Sequence, residues 1–516
     1  MKLKDDLIYE FSSLSVRAAA ESSKIIAAIQ SLRRLNIPFI DTTSTDWTVE
    51  TTAYNLRRPA IPALIVYADD PGKVQAAVTC GVQAGLKVSA RCGNHSYASL
   101  GLGGEDDHLV VDLTPMSRVT IDHNTKIATV QAGARLGNVA SELLKQGGRA
   151  IAHGSCPGVG IAGHILHGGY GWASHNKGLS LDCMVGAMVV LANGTQVHCS
   201  ATENPDLYWA LRGAGSNFGI ATSFELETFE APLISTPFKV PLNWHTEKCK
   251  VEGVKALVEF ARTSPAELNM RRAYDLTSNG YFSRLGTTQE QMERGAFVSG
   301  DHNFEGVYYG SVEDLSTVLA PLLKKTGGTI TAREGTWLEG LEYYAERNSL
   351  VMPVPYIEHG NFYATSLTLQ DLTGESLENF VHYWHAKAIG FHPGGWFIQL
   401  DLHGGPTSSI SSVPNSATAY AHRDKRFLIQ LYHYADNERP YPPEAISLLK
   451  GWIETTTRPL SKGEWGMYIN YADSEVHRDI AQELYYGENL QRLKELKKRY
   501  DPTEVFYYPQ AIAPAK

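Results

Sequence analysis

The stretch from Arg149 to Asp182, RAIAHGSCPGVGIAGHILHGGYGWASHNKGLSLD, constrains this chain more than any other. It carries neither helical nor strand periodicity, so it reads as a long ordered loop. With Gly148 just upstream, its glycines are Gly148, Gly154, Gly158, Gly160, Gly163, Gly168, Gly169, Gly171 and Gly178. Positions without a Cβ let backbone amides approach a bound group closely or take positive φ. The guest such a loop suits is a large, flat, phosphate-bearing cofactor.

A second unusual run, RCGNHSYASLGLGG from Arg91 to Gly104, places His95 61 residues before Cys156. Alone, His95 reads as a hydrogen-bonded loop histidine and Cys156 as a buried thiol. Together, two nucleophilic side chains on two Gly-rich loops point to covalent attachment of the cofactor. A zinc site competes for the same run, because His153, His164, His167 and His175 are crowded there. No H-E-x-x-H or C-x-x-C accompanies them, so no metal is expected.

The pair resembles the berberine-bridge-enzyme-like flavoprotein oxidases of the vanillyl-alcohol-oxidase fold. Their motifs R-x-G-G-H-S-Y and G-x-C-P-x-V-G-x-x-G-H are matched by Arg91–Tyr97 and Gly154–His164. The resemblance implies FAD held by two bonds, from His95 to the 8α-methyl and from Cys156 to C6. It further implies a cofactor-binding set of Arg91, Asn94, Ser96, Gly154, Pro157, Gly158, Val159, Gly160, Gly163, His164, Gly168, Gly169 and Gly171, with Ile220, Tyr508 and Gln510 later in the chain. Asn94 stands where the family has glycine, and asparagine tolerates left-handed φ better than other side chains. A glycan on Asn94 would clash with a buried cofactor, so that sequon is expected to be unused.

At 516 residues the chain has room for two or three domains. A formal charge of -9, from 46 Lys plus Arg against 55 Asp plus Glu, argues against nucleic acid. The longest apolar run, Met184 to Ala192, has nine residues, short of the roughly eighteen that a membrane helix needs. The N-terminal twenty residues have no apolar h-region and are expected to replace a removed leader or to be a tag. The resemblance implies secretion, with which the sequons at Asn94 and Asn193 are compatible, and a monomer. Six cysteines in so long a chain do not form a disulfide scaffold. Related sugar oxidases pair a cysteine at the position of Cys80 with one in the first helix; SSKIIAAIQSLRRLN has none, so Cys80 is expected to be free.

Helices are expected over 22–35, 71–84 (capped by Asp70) and 136–146, and strands over 63–67, 108–113 and in KVSAR. Hairpins are expected at RVTIDH/KIATVQAG and at Asn193-Gly194. Beyond Pro232, Pro237 and Pro241 the pattern changes. Helices are read at 251–263, 312–326, 376–388 and 442–457, beside the alternating aromatic strands FEGVYYG, NFYATSLTLQ, GWFIQLDLHG and RFLIQLYHY. The expected fold is α+β: a two-part PCMH-type FAD-binding domain, 1–231 and 464–516, around a substrate domain, 232–463, with one large antiparallel sheet backed by helices. In the last helix Leu490, Leu493, Leu496 and Tyr500 are the expected buried face, and Lys494, Lys497 and Lys498 a solvated stripe.

WFIQLDLHGG, AHRDK, WGMYINYAD and YYGENL resemble the fungal carbohydrate oxidases of the glucooligosaccharide-oxidase type. In those enzymes the tyrosine matching Tyr471 removes the proton of the anomeric hydroxyl and the aspartate matching Asp401 supports it. C1 gives a hydride to the flavin, and oxygen becomes hydrogen peroxide. Period-two faces agree: Phe397, Gln399 and Asp401 share one side of a strand, and Gln430 and Tyr432 one side of another. Aromatic floors with amide and carboxylate edges suit small carbohydrates. Tyr97, Arg271, Tyr309 and Tyr363 are further substrate candidates. Two alternatives stand beside this reading: an oxidase of another alcohol or alkaloid-type substrate on the same scaffold, and a non-catalytic flavin or sugar binder.

Overall fold

The computed structural model describes residues 22–276, 302–345, 349–352, 358–391 and 393–516; the leader or tag expected at the N-terminus lies outside them. Three sheets organise the chain. The first has the order β1-β2-β4-β3, from β1 Phe39–Ile40, β2 Leu64–Tyr67, β3 Val88–Arg91 and β4 Leu109–Asp112, with β4 parallel to both β2 and β3. Helix Pro71–Ala84 is the crossover from β2 to β3. Its start is read correctly from Asp70, whose side chain accepts the amide of Lys73, and it ends on left-handed Gly85.

The second sheet is antiparallel, with the order β5-β6-β10-β8-β9: β5 Val119–Ile121, β6 Ile127–Gln131, β8 Met184–Val190, β9 Gln196–Ser200 and β10 Ile220–Glu227. β7 Arg149–Ala150 pairs with β11 Phe229–Glu230. The Gly-rich run therefore leaves β7 and returns into β8, so both of its ends are anchored. The expected 149–182 loop holds only two short helical turns, Ile161–Ile165 and Ser174–Lys177, and a 3-10 turn.

The third sheet is the large antiparallel one. Its order is β15-β12-β14-β13-β17-β18-β16-β19, from β12 Thr236–Pro241, β13 Leu268–Leu276, β14 His302–Tyr308, β15 Thr331–Ala332, β16 Asn361–Leu369, β17 Gly395–Leu402, β18 Phe427–Ala435 and β19 Trp465–Gly466. Register pairs Arg271 with Asp401, Gln399 with Gln430 and Phe397 with Tyr432, so these side chains are cross-strand neighbours. The next residues along, Arg272, Ile398, Leu400, Ile429 and Leu431, are buried among the helices behind the sheet, with Trp396 and Trp452. Of those helices, the one expected over 376–388 is α-helical only over Gly374–Tyr383 and continues as a π turn, Trp384–Ala388. Among the described residues no helix is long and apolar enough to cross a membrane.

The expected lysine stripe of the final helix, Leu490–Tyr500, is wrong at one position. Lys497 is wholly buried and donates to the carbonyls of Asn217 and Phe506 and to Asp501. Three acceptors from separate segments converge there, which a pattern of charges on one helix face cannot reveal. Cys80 is buried and unpaired.

Candidate active site

A cavity of ≈ 450 Å³ lies between the His95 loop, the Gly-rich run and the strands β13, β17 and β18, with residues 468–472 and 506–508 completing its wall. β3 delivers the His95 loop. Arg91 at the end of β3 is buried in ion pairs with Asp112 and Glu50, so its guanidinium holds the strand end to its neighbours. Asn94 does take a left-handed backbone, φ 53°, and its amide leans 3.4 Å to the carbonyl of Thr52. Ser96 Oγ accepts the amides of Ala98 and Leu100 and so shapes the turn. His95 lies with its ring 4.1 Å from that of Tyr54 and its Nε2 3.8 Å from Cys156 Sγ. Burial, with the charge of Arg135 adding to it, pushes the His95 imidazole down to about 3 and keeps it neutral.

Glycine is required where the two loops meet and where the Gly-rich run folds against itself. A Cβ on Gly93 would lie 2.2 Å from Gly160 N, and one on Gly171 1.8 Å from the His153 carbonyl. Gly168 and Gly169 take positive φ, and the amides of Gly169 and Tyr170 donate to the phenol oxygen of Tyr468 at 2.9 and 3.2 Å. Gly163 lines the cavity with open space where a Cβ would stand. The four crowded histidines turn to different partners: His164 Nε2 accepts the amide of Gly154, His167 meets Ser216, His153 the Gly154 carbonyl and His175 that of Ala266. Among the described residues no cluster of His, Cys, Asp or Glu is arranged to hold a metal.

The other end is polar on an aromatic floor. Arg271 pairs with Glu305 at 2.6 Å and donates to Gln399 Oε1 at 2.9 Å, while its guanidinium lies over Trp172. Gln430 donates to Tyr97 at 2.9 Å, and the Tyr97 ring stacks parallel to that of Tyr471 at 6.0 Å. Burial raises Asp401 to about 7 against the pull of Arg271, with Glu305 adding to the rise. Burial and then Asp401 raise the Tyr471 phenol well above its usual range. Its hydroxyl takes no hydrogen bond among the described residues, which leaves the oxygen to a ligand.

His95, Cys156, Asn94, Ser96, Gly154, Val159, Gly160, Gly163, His164, Gly171, Ile220 and Tyr508 line this one cavity with Tyr97, Arg271, Phe397, Gln399, Asp401, Gln430 and Tyr471. Four expected contact residues lie behind the lining, because their rings or polar ends are used in packing. Tyr309 donates to the Trp172 carbonyl, and Tyr363, wholly buried, donates to Asp473. Tyr432 is stacked between Phe362 and Phe397, and Gln510 donates to the carbonyls of Asp473 and Val476. Pro157, Gly158, Gly168 and Gly169 likewise shape the loop from behind. Tyr54, Tyr170, Trp172, Tyr344 and Tyr468 line the cavity without having been read from the sequence. Tyr170 and Trp172 had a signal, since they interrupt the glycines of the run; Tyr54 and Tyr344 come from distant segments with none.

The FAD-binding-domain family matches residues 62–200, and the berberine and berberine-like family matches residues 467–513. The chain is 42% identical to a carbohydrate oxidase of Microdochium nivale over 97% of its own length and 98% of that protein. It is 41% identical to a xylooligosaccharide oxidase of Thermothelomyces thermophilus, over 98% of each. A solved structure of glucooligosaccharide oxidase from Acremonium strictum, with its 6-S-cysteinyl, 8α-N1-histidyl FAD, superposes at TM-score 0.87 and 40% identity, covering 95% of this chain and 99% of that one. Fold, cavity and full-length similarity agree: this chain belongs to the berberine-bridge-enzyme-like FAD-linked oxidases.

Proposed function

We propose that the chain is an FAD-dependent oxidase of reducing oligosaccharides. It oxidises the anomeric C1 hydroxyl to a lactone, which hydrolyses to the aldonic acid, and reduces O2 to H2O2. The observation that carries this reading is one cavity with two chemistries: a nucleophile pair at one end, and a phenol, a carboxyl and two amides at the other. The residues fit a flavin. A neutral imidazole and a thiol 3.8 Å apart would hold it by two bonds, and bare glycine backbone leaves room beside them. FAD, when bound, supplies the hydride acceptor and the route of the electrons to oxygen. The similar carbohydrate and xylooligosaccharide oxidases support a sugar substrate, and the doubly linked FAD of the superposed glucooligosaccharide oxidase supports attachment through His95 and Cys156.

The chain's own residues then divide the work. Tyr471 Oη takes the proton of the C1 hydroxyl. Asp401, ionising near neutrality, offers that proton a second resting place and favours a neutral phenol before the reaction. Gln399, Gln430 and Arg271 present hydrogen bonds to the sugar's hydroxyl edge, and the ring of Phe397, stacked on Tyr432 at 4.7 Å, offers a flat face to its C–H side. A peroxide assay with glucose, cellobiose, xylobiose, lactose and chitobiose, and benzylic alcohols as the contrast, tests the reading. Peroxide and the matching aldonic acid from at least one sugar are expected. Turnover of benzylic alcohols alone, or of nothing, sinks it.

A further inference from the structure

The two loops that carry His95 and Cys156 are far apart in sequence, yet their nucleophiles stand 3.8 Å apart. One side chain joins them. Arg135, buried just before helix Leu136–Lys145, donates through a single nitrogen, Nη1, to the carbonyl of Gly93 at 3.1 Å and that of Gly158 at 2.5 Å. Gly93 lies two residues before His95, and Gly158 two residues after Cys156.

The backbone around Arg135 is stitched to the cysteine loop. Arg135 forms an antiparallel bridge with Gly160, Leu136 N donates to Val159 O, Gly137 N to Pro157 O, and Ile161 N to Ala134 O. The two loops also meet backbone to backbone: a Cβ on Gly93 would lie 2.2 Å from Gly160 N. The distance between the nucleophiles is therefore held by the glycine contact between the two loops together with the Arg135 clamp. Two bonds to one rigid ring require both nucleophiles in place at once, and small misplacements are costly in such reactions.

We propose that Arg135 is the positioning residue that makes flavin attachment double: it holds the His95 and Cys156 loops at the spacing that two bonds to one isoalloxazine require. The inference rests on the covalent-FAD reading above. Each attachment exchanges an N–H or S–H of the protein and a C–H of the flavin for one C–N or C–S bond. Two protons and two electrons leave per bond, and O2, the oxidant of the proposed activity, takes them up as one H2O2. Arg135 takes no part in either bond. Its charge also favours the unprotonated His95, whose lone pair is needed.

The test uses full-length protein produced in a riboflavin-starved host, mixed with FAD in air. Covalent incorporation is followed by acid precipitation, and the linked peptides are mapped by mass spectrometry. Wild type is expected to become doubly linked. Arg135→Met is expected to accumulate singly linked flavin and to form the second bond at least about tenfold more slowly. Arg135→Lys, which keeps the charge but lacks the rigid fork, is expected to fall between them. A loss of melting temperature in either variant without a change in the ratio of single to double linkage would make Arg135 merely structural and overturn the proposal. So would doubly linked flavin at the wild-type rate in both variants, or in Arg135→Lys should Arg135→Met not fold. Flavin released by acid from wild type overturns this proposal together with the covalent reading beneath it.

Discussion

Tyr471 and Asp401 meet in the cavity because β17 and the 469–471 turn bring them there, yet burial works against ionising either of them. A phenol raised well above its usual range is a poor resting base, so proton loss is expected to accompany hydride loss, with the Asp401 carboxyl lining the same cavity. Tyr471→Phe keeps the ring stack with Tyr97. It is expected to leave sugar binding nearly intact and to slow anaerobic flavin reduction by about 10³-fold in stopped flow. The carboxylate, not the acid, accepts the proton. Activity should therefore rise with pH through about 7, the value to which burial lifts Asp401, and Asp401→Asn should lose that rise. The same shift has a sign for stability. Between the ordinary carboxylate range and about 7 the folded protein holds a proton that the unfolded chain has released, so this group's contribution falls as pH climbs through that window. A kcat/KM profile of Asp401→Asn with the wild-type limb intact would remove Asp401 from the proton path. At this scale the residue types were legible. Asn94 was readable as a left-handed position because that depends only on its own side chain. Tyr309 and Tyr363 misled because a tyrosine in an alternating run looks the same whether its hydroxyl meets a ligand, a backbone carbonyl or a buried carboxylate.

Strands advertise their faces by alternation, and the Phe397, Gln399, Asp401 face was readable for that reason. Which strand stands beside it was not. The partnering of Arg271 with Asp401 depends on β13 lying between β14 and β17, and no local pattern encodes that order. The Gly-rich run was visible as an element without period, but its shape is set by contacts made elsewhere. The amides of Gly169 and Tyr170 close on Tyr468, some three hundred residues away. Gly171 shows how tightly that shape is held, since a methyl there would stand 1.8 Å from the His153 carbonyl. Gly171→Ala must shift the backbone between Tyr170 and Trp172, which line the sugar end. The expected result is protein that still carries flavin, with a sugar KM raised about tenfold, read from initial rates over a cellobiose series. An unchanged KM would mean that the loop yields elsewhere.

Across the whole molecule the final segment packs back against the first two sheets, with Val88 of β3 donating to the Val505 carbonyl, and is locked there by Lys497. Its ammonium, wholly buried, holds Asp501 at 2.7 Å together with the carbonyls of Asn217 and Phe506. Asp501 in turn accepts the amides of Val505 and Phe506. Lys497→Met leaves that carboxylate buried without its counter-charge, which costs about 3 kcal/mol or more. Differential scanning fluorimetry should find a clearly lower melting temperature, whereas Lys498→Met, at an exposed position, should melt as wild type does. From the sequence alone came the α+β class, the two Gly-rich loops with their nucleophiles, the alternating strand faces and the helix caps, since each depends on the backbone preferences of a few neighbouring residues. Only the tertiary structure decided that Lys497 is buried, that Tyr363, Tyr432 and Gln510 stand behind the cavity wall, and that Arg135 spans the His95 and Cys156 loops. Those outcomes are set by packing between segments far apart in the chain, and a side chain's pattern of neighbours along the sequence carries no record of the partner that reaches it through space.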